Sequence, residues 1–128
     1  MVQEDRRKRF RGLVEDDVRA LDFSEFIQLI PSRERRTLKH GLSHEQKKVL
    51  DAIRAGKSPK THARDMVIVP DMMGSIVKVY DGKQFVDVRV EIEMLGHRLG
   101  EFAPTRRRVS HQAPGIGATK SSSHMSVK

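Results

Sequence analysis

The spacing of apolar and polar residues predicts short helices in the N-terminal half of the chain. The first helix begins at Asp22, which lies three residues before Glu25 as in a capping box, and Pro31 ends it. A second helix covers residues 32–40 and ends at Gly41, the residue type that most often follows a helix. The apolar positions of the first helix recur at helical spacing at Phe23, Phe26, Ile27 and Ile30.

A third helix and a basic linker follow. Ser43 and Gln46 have capping-box spacing at the helix start, and Gly56 ends the helix. The apolar stripe of this helix consists of Val49, Leu50 and Ile53. Residues off the stripe include Lys47, Lys48 and Arg54. Residues 57–64 are polar and basic, which predicts a linker rather than a regular element.

Strands are predicted in three apolar runs, at Met66–Val69, Ser75–Tyr80 and Gln84–Val90. The dipeptide Asp81-Gly82 separates the second and third runs and suits a two-residue type I′ hairpin. This turn pairs Tyr80 with Lys83, Val79 with Gln84 and Val77 with Val86. One face of the hairpin then carries Val77, Val79, Val86 and Val88, and the other is basic and aromatic, with Lys78, Tyr80, Lys83 and Phe85. Residues 91–96 indicate a short helical turn.

Composition divides the chain into three segments. Residues 1–20 are predicted to form a basic N-terminal arm, residues 21–105 an α+β domain with its N-terminal helices, and residues 106–128 a flexible basic tail. The last acidic residue is Glu101, and the 27 residues after it are rich in Gly, Pro and Ser. Apolar residues make up only 37% of the chain, so part of it is expected to lie outside the core.

The charge balance favours a polyanionic partner. The formal net charge is +8 and the pI is about 10.2, which points to nucleic acid first and an anionic membrane surface second. A solvated basic surface without a partner is the alternative. The chain has no cysteine, which excludes disulfides and thiolate metal sites. No apolar run reaches the length of about 18 residues that a membrane span needs, so no span is predicted. No membrane partner is predicted either, because the basic helix has no wide apolar face opposite its charges.

Motifs that resemble catalytic or cofactor sites are incomplete. His40 and His44 have the spacing of helical metal ligands, but Gly41 breaks the helix between them. Residues 115–121 suggest a phosphate loop, yet Thr119 stands where a Walker loop needs glycine before its lysine. Ser110 and His111 are adjacent but lack a scaffold. We therefore predict no enzyme activity, no metal and no cofactor.

Basic clusters are the stronger signal. Residues 33–39 carry four positive charges against one negative charge, and three arginines at 106–108 open the acid-free tail. Such groups neutralise phosphates and release counterions, although charge runs are more often solvated helix faces. Tyr80 and Phe85 could stack on bases, and core packing or an isolated surface ring explains each of them at least as well.

Four blocks of the chain resemble one known family. Residues 94–106 read Met-Leu-Gly-His-Arg-Leu-Gly-Glu-Phe-Ala-Pro-Thr-Arg and resemble the signature of small-subunit ribosomal protein family nineteen. Residues 35–42 resemble its N-terminal basic block, and residues 61–74 its first strand and turn. Residues 113–119, together with the long N-terminal segment, resemble its archaeal and eukaryotic branch.

This resemblance implies a small α+β fold, with a three-stranded sheet, flanking helices and extended basic N- and C-terminal segments. It implies a structural role in translation, bound to ribosomal RNA (rRNA) of the three-prime major domain in the head of the small subunit. It also implies ribosomal protein thirteen as a neighbour and a C-terminal tail that reaches the decoding site and tRNA. The protein is accordingly expected in the cytoplasm, bound to the ribosome. The alternative is a free-standing nucleic-acid-binding regulator.

The expected rRNA contacts neutralise phosphates rather than read base edges. They are Arg35, Arg36, Lys39, Lys47, Lys48, Lys60, Arg64, Lys78, Lys83, Arg98, Arg106, Arg107 and Arg108. The tail residues expected near the decoding site are Pro114, Gly115, Gly117, Thr119 and Lys120.

Overall fold

Four short helices precede a small sheet in residues 8–110, the part of the chain that the computed structural model describes. The helices are α1 (Glu15–Ala20), α2 (Phe23–Leu29), α3 (Ser32–Lys39) and α4 (His44–Arg54). The strands are β1 (Lys60–Thr61), β2 (Ile76–Tyr80) and β3 (Phe85–Arg89), and short 3-10 turns lie at Pro70–Met72, Ile92–Met94 and Leu99–Phe102. The predicted α+β class, with a three-stranded sheet and flanking helices, is confirmed.

Side-chain caps define where two of the helices begin. The Ser43 hydroxyl accepts a hydrogen bond from the Gln46 backbone N–H at 3.3 Å, and the Gln46 side chain accepts one from the Ser43 N–H at 3.1 Å. This capping box satisfies backbone donors that the first turn of α4 leaves without partners. Asp22 caps α2 as predicted, although its carboxylate accepts from the Ser24 N–H, at 3.4 Å, rather than forming a box with Glu25.

Helix α1 was not predicted, because residues 1–20 were expected to form an N-terminal arm. The helix has six residues and buries one of them, Val18, completely, so its sequence contains no apolar period to detect. Phe10, just before it, lies 5.9 Å from the Phe26 ring of α2 between centroids. At least part of this segment therefore packs against the core, whereas the division into arm, domain and tail remains a prediction.

The third strand of the sheet is β1, which lies within the predicted linker. It runs parallel to β2, and β2 runs antiparallel to β3. The predicted strand at residues 66–69 is wrong, although all four of its residues are buried. This segment bonds instead to residues 96–99, for example from the Leu99 N–H to the Met66 carbonyl at 3.0 Å. Its continuous apolar run reflects burial on both sides rather than a place in the sheet.

The β2–β3 hairpin has a four-residue loop rather than the predicted two-residue turn. Tyr80 pairs with Phe85, Val79 with Val86 and Val77 with Val88, so the predicted partners were two residues off. Side chains alternate with a period of two along a strand, and a shift of two therefore leaves both faces unchanged. Val77, Val79 and Val88 are buried on the inner face as predicted, whereas Lys83 lies in the loop.

Candidate nucleic-acid interface

Helix α3 is attached to the rest of the fold by one of its own arginines. The Arg35 guanidinium donates hydrogen bonds to three backbone carbonyls, those of Ile27 at 3.1 Å, Gln28 at 3.0 Å and Ile30 at 3.2 Å. These carbonyls lie at the C-terminal end of α2, where a helix lacks backbone donors and attracts positive charge. Arg35 was predicted to contact RNA, and the structure gives it this internal role.

The remaining basic residues of α3 surround an open depression. Leu38 is buried and orients the helix, which leaves Arg33, Arg36 and Lys39 exposed. The depression has a volume of about 660 Å³ and is lined by Ser32, Arg33, Arg35, Arg36, Lys39 and His40. Within residues 8–110, neither Arg36 nor Lys39 forms an ion pair with an acidic side chain. The α3 depression, defined by these six residues, can therefore hold an anion such as a phosphate group.

Helix α4 presents a second pair of cations. Its buried residues are Gln46, Val49, Leu50 and Ile53, so Lys47 and Lys48 lie on the opposite, exposed side. Neither lysine has an acidic partner in the described part of the chain. Lys47 and Lys48, the α4 lysine pair, lie off the apolar stripe as predicted, and their contact with rRNA stays a prediction.

Two predicted contact residues, Arg64 and Arg98, are engaged inside the fold. Arg64 donates to the Tyr80 carbonyl at 2.5 Å and to the Gly100 carbonyl at 2.8 Å. Arg98 donates to the Asp65 carbonyl and to the Thr37 hydroxyl, both at 3.3 Å, and lies 3.5 Å from a Glu34 carboxylate oxygen. Both arginines join segments far apart in sequence, so their charge stabilises the fold.

Gly96 and Gly100 allow close backbone approach, and the neighbours that they meet are protein atoms. A Cβ atom at Gly100 would lie 3.0 Å from the Arg64 carbonyl oxygen. A Cβ atom at Gly96 would lie 3.0 Å from the Ile30 side chain. Glycine at these two positions therefore serves the packing of the protein itself.

Arg107 is tied to the hairpin loop through Asp81. Its guanidinium donates to the Asp81 carboxylate at 2.6 Å, and that carboxylate also accepts from the backbone N–H groups of Lys83 at 2.9 Å and Gln84 at 2.8 Å. The backbone bonds from Gln84 and Lys83 lower the pKa of Asp81, and Arg107 lowers it further. Asp81 is thus a turn residue, as predicted, and it also anchors the start of the predicted tail.

The other predicted residues lie at or near the surface. Lys78 is 3.9 Å from Asp87, and the Lys60 ammonium lies 5.5 Å from the centre of the Phe85 ring. The exposed residues among these without an acidic partner in the described range are Lys60, Lys83, Arg106 and Arg108. The five tail residues predicted near the decoding site, at positions 114, 115, 117, 119 and 120, lie outside the described residues.

His40 and His44 do not share a helix. His40 follows the last residue of α3 and His44 is the first residue of α4, so a break separates them. No group of three His, Asp or Glu side chains in the described range could hold a metal ion. None of the helices there is long and apolar enough to cross a membrane.

Comparison with known proteins finds chains similar to this one in a single ribosomal protein family. The family model described as "Ribosomal protein S19" matches residues 36–111, which include the second half of α3, all of α4 and the whole sheet. The curated "Small ribosomal subunit protein uS19" of Methanococcoides burtonii is 46% identical over 120 residues, which cover 93% of this chain and 88% of that protein.

Proposed function

The chain belongs to the ribosomal protein S19 family, and from this premise we propose that it binds rRNA in the head of the small subunit. The family consists of structural proteins of the ribosome, not enzymes. The observation that carries the RNA-binding proposal is the set of exposed cations without internal partners, in the α3 depression and the α4 lysine pair. Cations of this kind gain free energy by displacing the counterions of a nucleic acid backbone.

A sucrose gradient of native lysate, probed for this chain, tests the ribosomal assignment. Migration with the small subunit at low magnesium and with whole ribosomes at high magnesium is the expected result. Migration only at the top of the gradient would favour the alternative, a free-standing nucleic-acid-binding regulator. No feature of the described residues favours that alternative.

The salt dependence of rRNA binding tests the electrostatic part of the proposal. If about six phosphates are neutralised, affinity should fall about a thousand-fold between about 50 and 200 mM salt. A flat response to salt would contradict phosphate binding, whichever residues provide it.

Ribosomal protein thirteen is the proposed protein neighbour, and the apolar groove beside α2 supports a protein contact there. The groove has a volume of about 510 Å³, and Phe23 at its rim is 50% exposed. Residues 15–29, which form α1 and α2, carry five acidic residues and one basic residue, a charge that repels RNA and suits a basic protein. Phe23→Asp should weaken binding of protein thirteen without changing rRNA affinity, and an unchanged affinity for protein thirteen would contradict this placement.

The C-terminal tail is proposed to reach the decoding site and tRNA. Its support is compositional, because residues 102–128 contain no acid and residues 115–120 combine two glycines with Thr119 and Lys120. A photo-crosslinker at position 117 should label tRNA in programmed ribosomes. Labelling of rRNA alone would mean that the tail contacts rRNA but does not reach tRNA.

A further inference from the structure

Three rings from three parts of the sheet form an aromatic cluster, His62, Tyr80 and Phe85. His62 follows β1, Tyr80 ends β2 and Phe85 begins β3, and the last two are direct partners in the register. The His62 ring centre lies 4.4 Å from that of Tyr80 and 5.3 Å from that of Phe85, and the Tyr80 and Phe85 centres are 5.3 Å apart. Because these separations are typical of favourable aromatic pairs, each ring touches both others.

The aromatic cluster lies on the outer face of the sheet. Val77 and Val79, whose side chains point the other way, are completely buried, whereas Ile76 on the outer face is 42% exposed. His62 is exposed as well. Cross-strand packing explains the contact between Tyr80 and Phe85. It does not explain why an exposed imidazole from outside the strands completes the cluster.

Cations flank these rings. The Lys60 ammonium lies 5.5 Å from the centre of the Phe85 ring, and its strand partner Lys78 shares the outer face. The carboxylate nearest to Lys78 is that of Asp87, at 3.9 Å, a separation at which an exposed pair is weak. Aromatic rings beside lysines on an open sheet combine the two interactions that hold single-stranded RNA, stacking and phosphate attraction.

We propose that the aromatic cluster stacks on an unpaired base of the bound RNA. This inference rests on the proposed function and adds a contact that the sequence left open for Tyr80 and Phe85. Stacking tolerates any base because every base has a π face, so the ligand class is an unpaired nucleotide rather than a particular sequence. A fully paired helix keeps its bases inside and does not fit the cluster.

The fluorescence of Tyr80 reports stacking at the aromatic cluster directly, because Tyr80 is the only tyrosine in a chain without tryptophan. The full-length protein is titrated with oligouridylate, whose bases are unpaired, and with an RNA duplex of the same length. Oligouridylate should quench the tyrosine fluorescence, and the duplex should bind without quenching. Equal quenching by both RNAs, or none by either, would overturn the proposal.

Two variants test whether the rings contribute to affinity. Phe85→Leu keeps an apolar side chain, and His62→Ala alters an exposed residue outside the strands, so that one informative variant remains if the other fails to fold. Each should bind oligouridylate about ten-fold more weakly, with an unchanged dependence on salt. Phe23→Leu is the control, because it removes an exposed ring on α2, and it should bind normally.

The outcomes separate this inference from the function on which it rests. If wild-type protein binds rRNA with the expected salt dependence while His62→Ala and a folded Phe85→Leu bind oligouridylate normally, the cluster has only a structural role. If neither rRNA nor oligouridylate binds, the proposed function fails as well. Thermal unfolding of each variant shows whether a loss of affinity reflects unfolding.

Discussion

Two pairs of helices precede the sheet, and they differ in charge far more than in packing. Helices α1 and α2, with the residue between them that caps α2, carry five acidic residues and one basic residue. Residues 32–54, which form α3 and α4, carry seven basic and three acidic residues. Both pairs nevertheless contribute buried side chains to the same core, among them Val18, Phe26, Leu38 and Ile53.

This contrast separates what holds the fold together from what selects a partner. Burial of apolar side chains stabilises both pairs in the same way, since that effect depends on area rather than on charge. The sign of the surface charge instead determines whether a phosphate backbone is attracted or repelled. We therefore expect RNA at α3 and α4 and protein at α1 and α2.

The largest expected effect tests whether α2 is part of the core at all. Phe26→Ala removes a completely buried ring and should lower the free energy of unfolding by about 3–5 kcal/mol, as truncations of buried aromatics do. Denaturant unfolding measures the loss. Phe23→Ala, at a residue that is 50% exposed on the same helix, should cost much less. Similar losses in both variants would mean that α2 is not anchored through Phe26.

Arg35 connects the two helix pairs, and its removal is expected to have the second largest effect on stability. Arg35→Ala removes three hydrogen bonds from a charged donor to the end of α2 and should cost about 1.5–3 kcal/mol of stability. The neighbouring Arg36→Ala is the matched control and should change stability by less than about 0.5 kcal/mol while weakening rRNA binding. A reversal, with Arg36 the more important for stability, would contradict the assigned roles.

The charge contrast itself is tested on exposed residues. Replacing both Lys47 and Lys48 with Gln should weaken rRNA binding about ten-fold and lower the slope of log affinity against log salt by about two. The control replaces Asp16 and Asp17 of α1 with Asn and should leave the slope unchanged. If both double variants changed the slope equally, binding would depend on net charge rather than on the α4 lysine pair.

The smallest expected losses of stability are those from removing the two helix caps. Ser43→Ala breaks the reciprocal box of α4 and should cost about 1 kcal/mol. Asp22→Ala breaks one long bond at α2 and should cost less. Thermal unfolding resolves the two values, and a larger loss at Asp22 would indicate that its charge at the helix start outweighs the geometry of the bond.

The sequence predicted the elements whose signals are local. Spacing within a few residues predicted the capping box of Ser43 and Gln46, the apolar stripe of α4 and the two faces of the hairpin. The structure confirms all three. Helix α1 was missed because it has one buried residue, and β1 because two residues show no alternation. The predicted hairpin register was wrong by two residues. The Asp81 carboxylate accepts hydrogen bonds from the N–H groups of Lys83 and Gln84 and so stabilises a four-residue loop.

The candidate site shows the same division. Exposed cations such as Arg36, Lys47 and Lys48 could be found from composition and helical spacing. Arg35, Arg64 and Arg98 have the same chemistry in sequence, but their partners are carbonyls of other segments, which no local pattern reveals. His62 was overlooked as a member of the aromatic cluster because its segment was predicted to be a linker.

The sequence by itself determined the family, the α+β class, the starts of α2, α3 and α4 and the excess of positive charge, because each depends on residue types or short-range spacing. Only the tertiary structure decided which arginines remain available to a partner and which hold the fold. A guanidinium is equally basic in either place, and its role depends on whether a backbone carbonyl from a distant segment lies within hydrogen-bond distance.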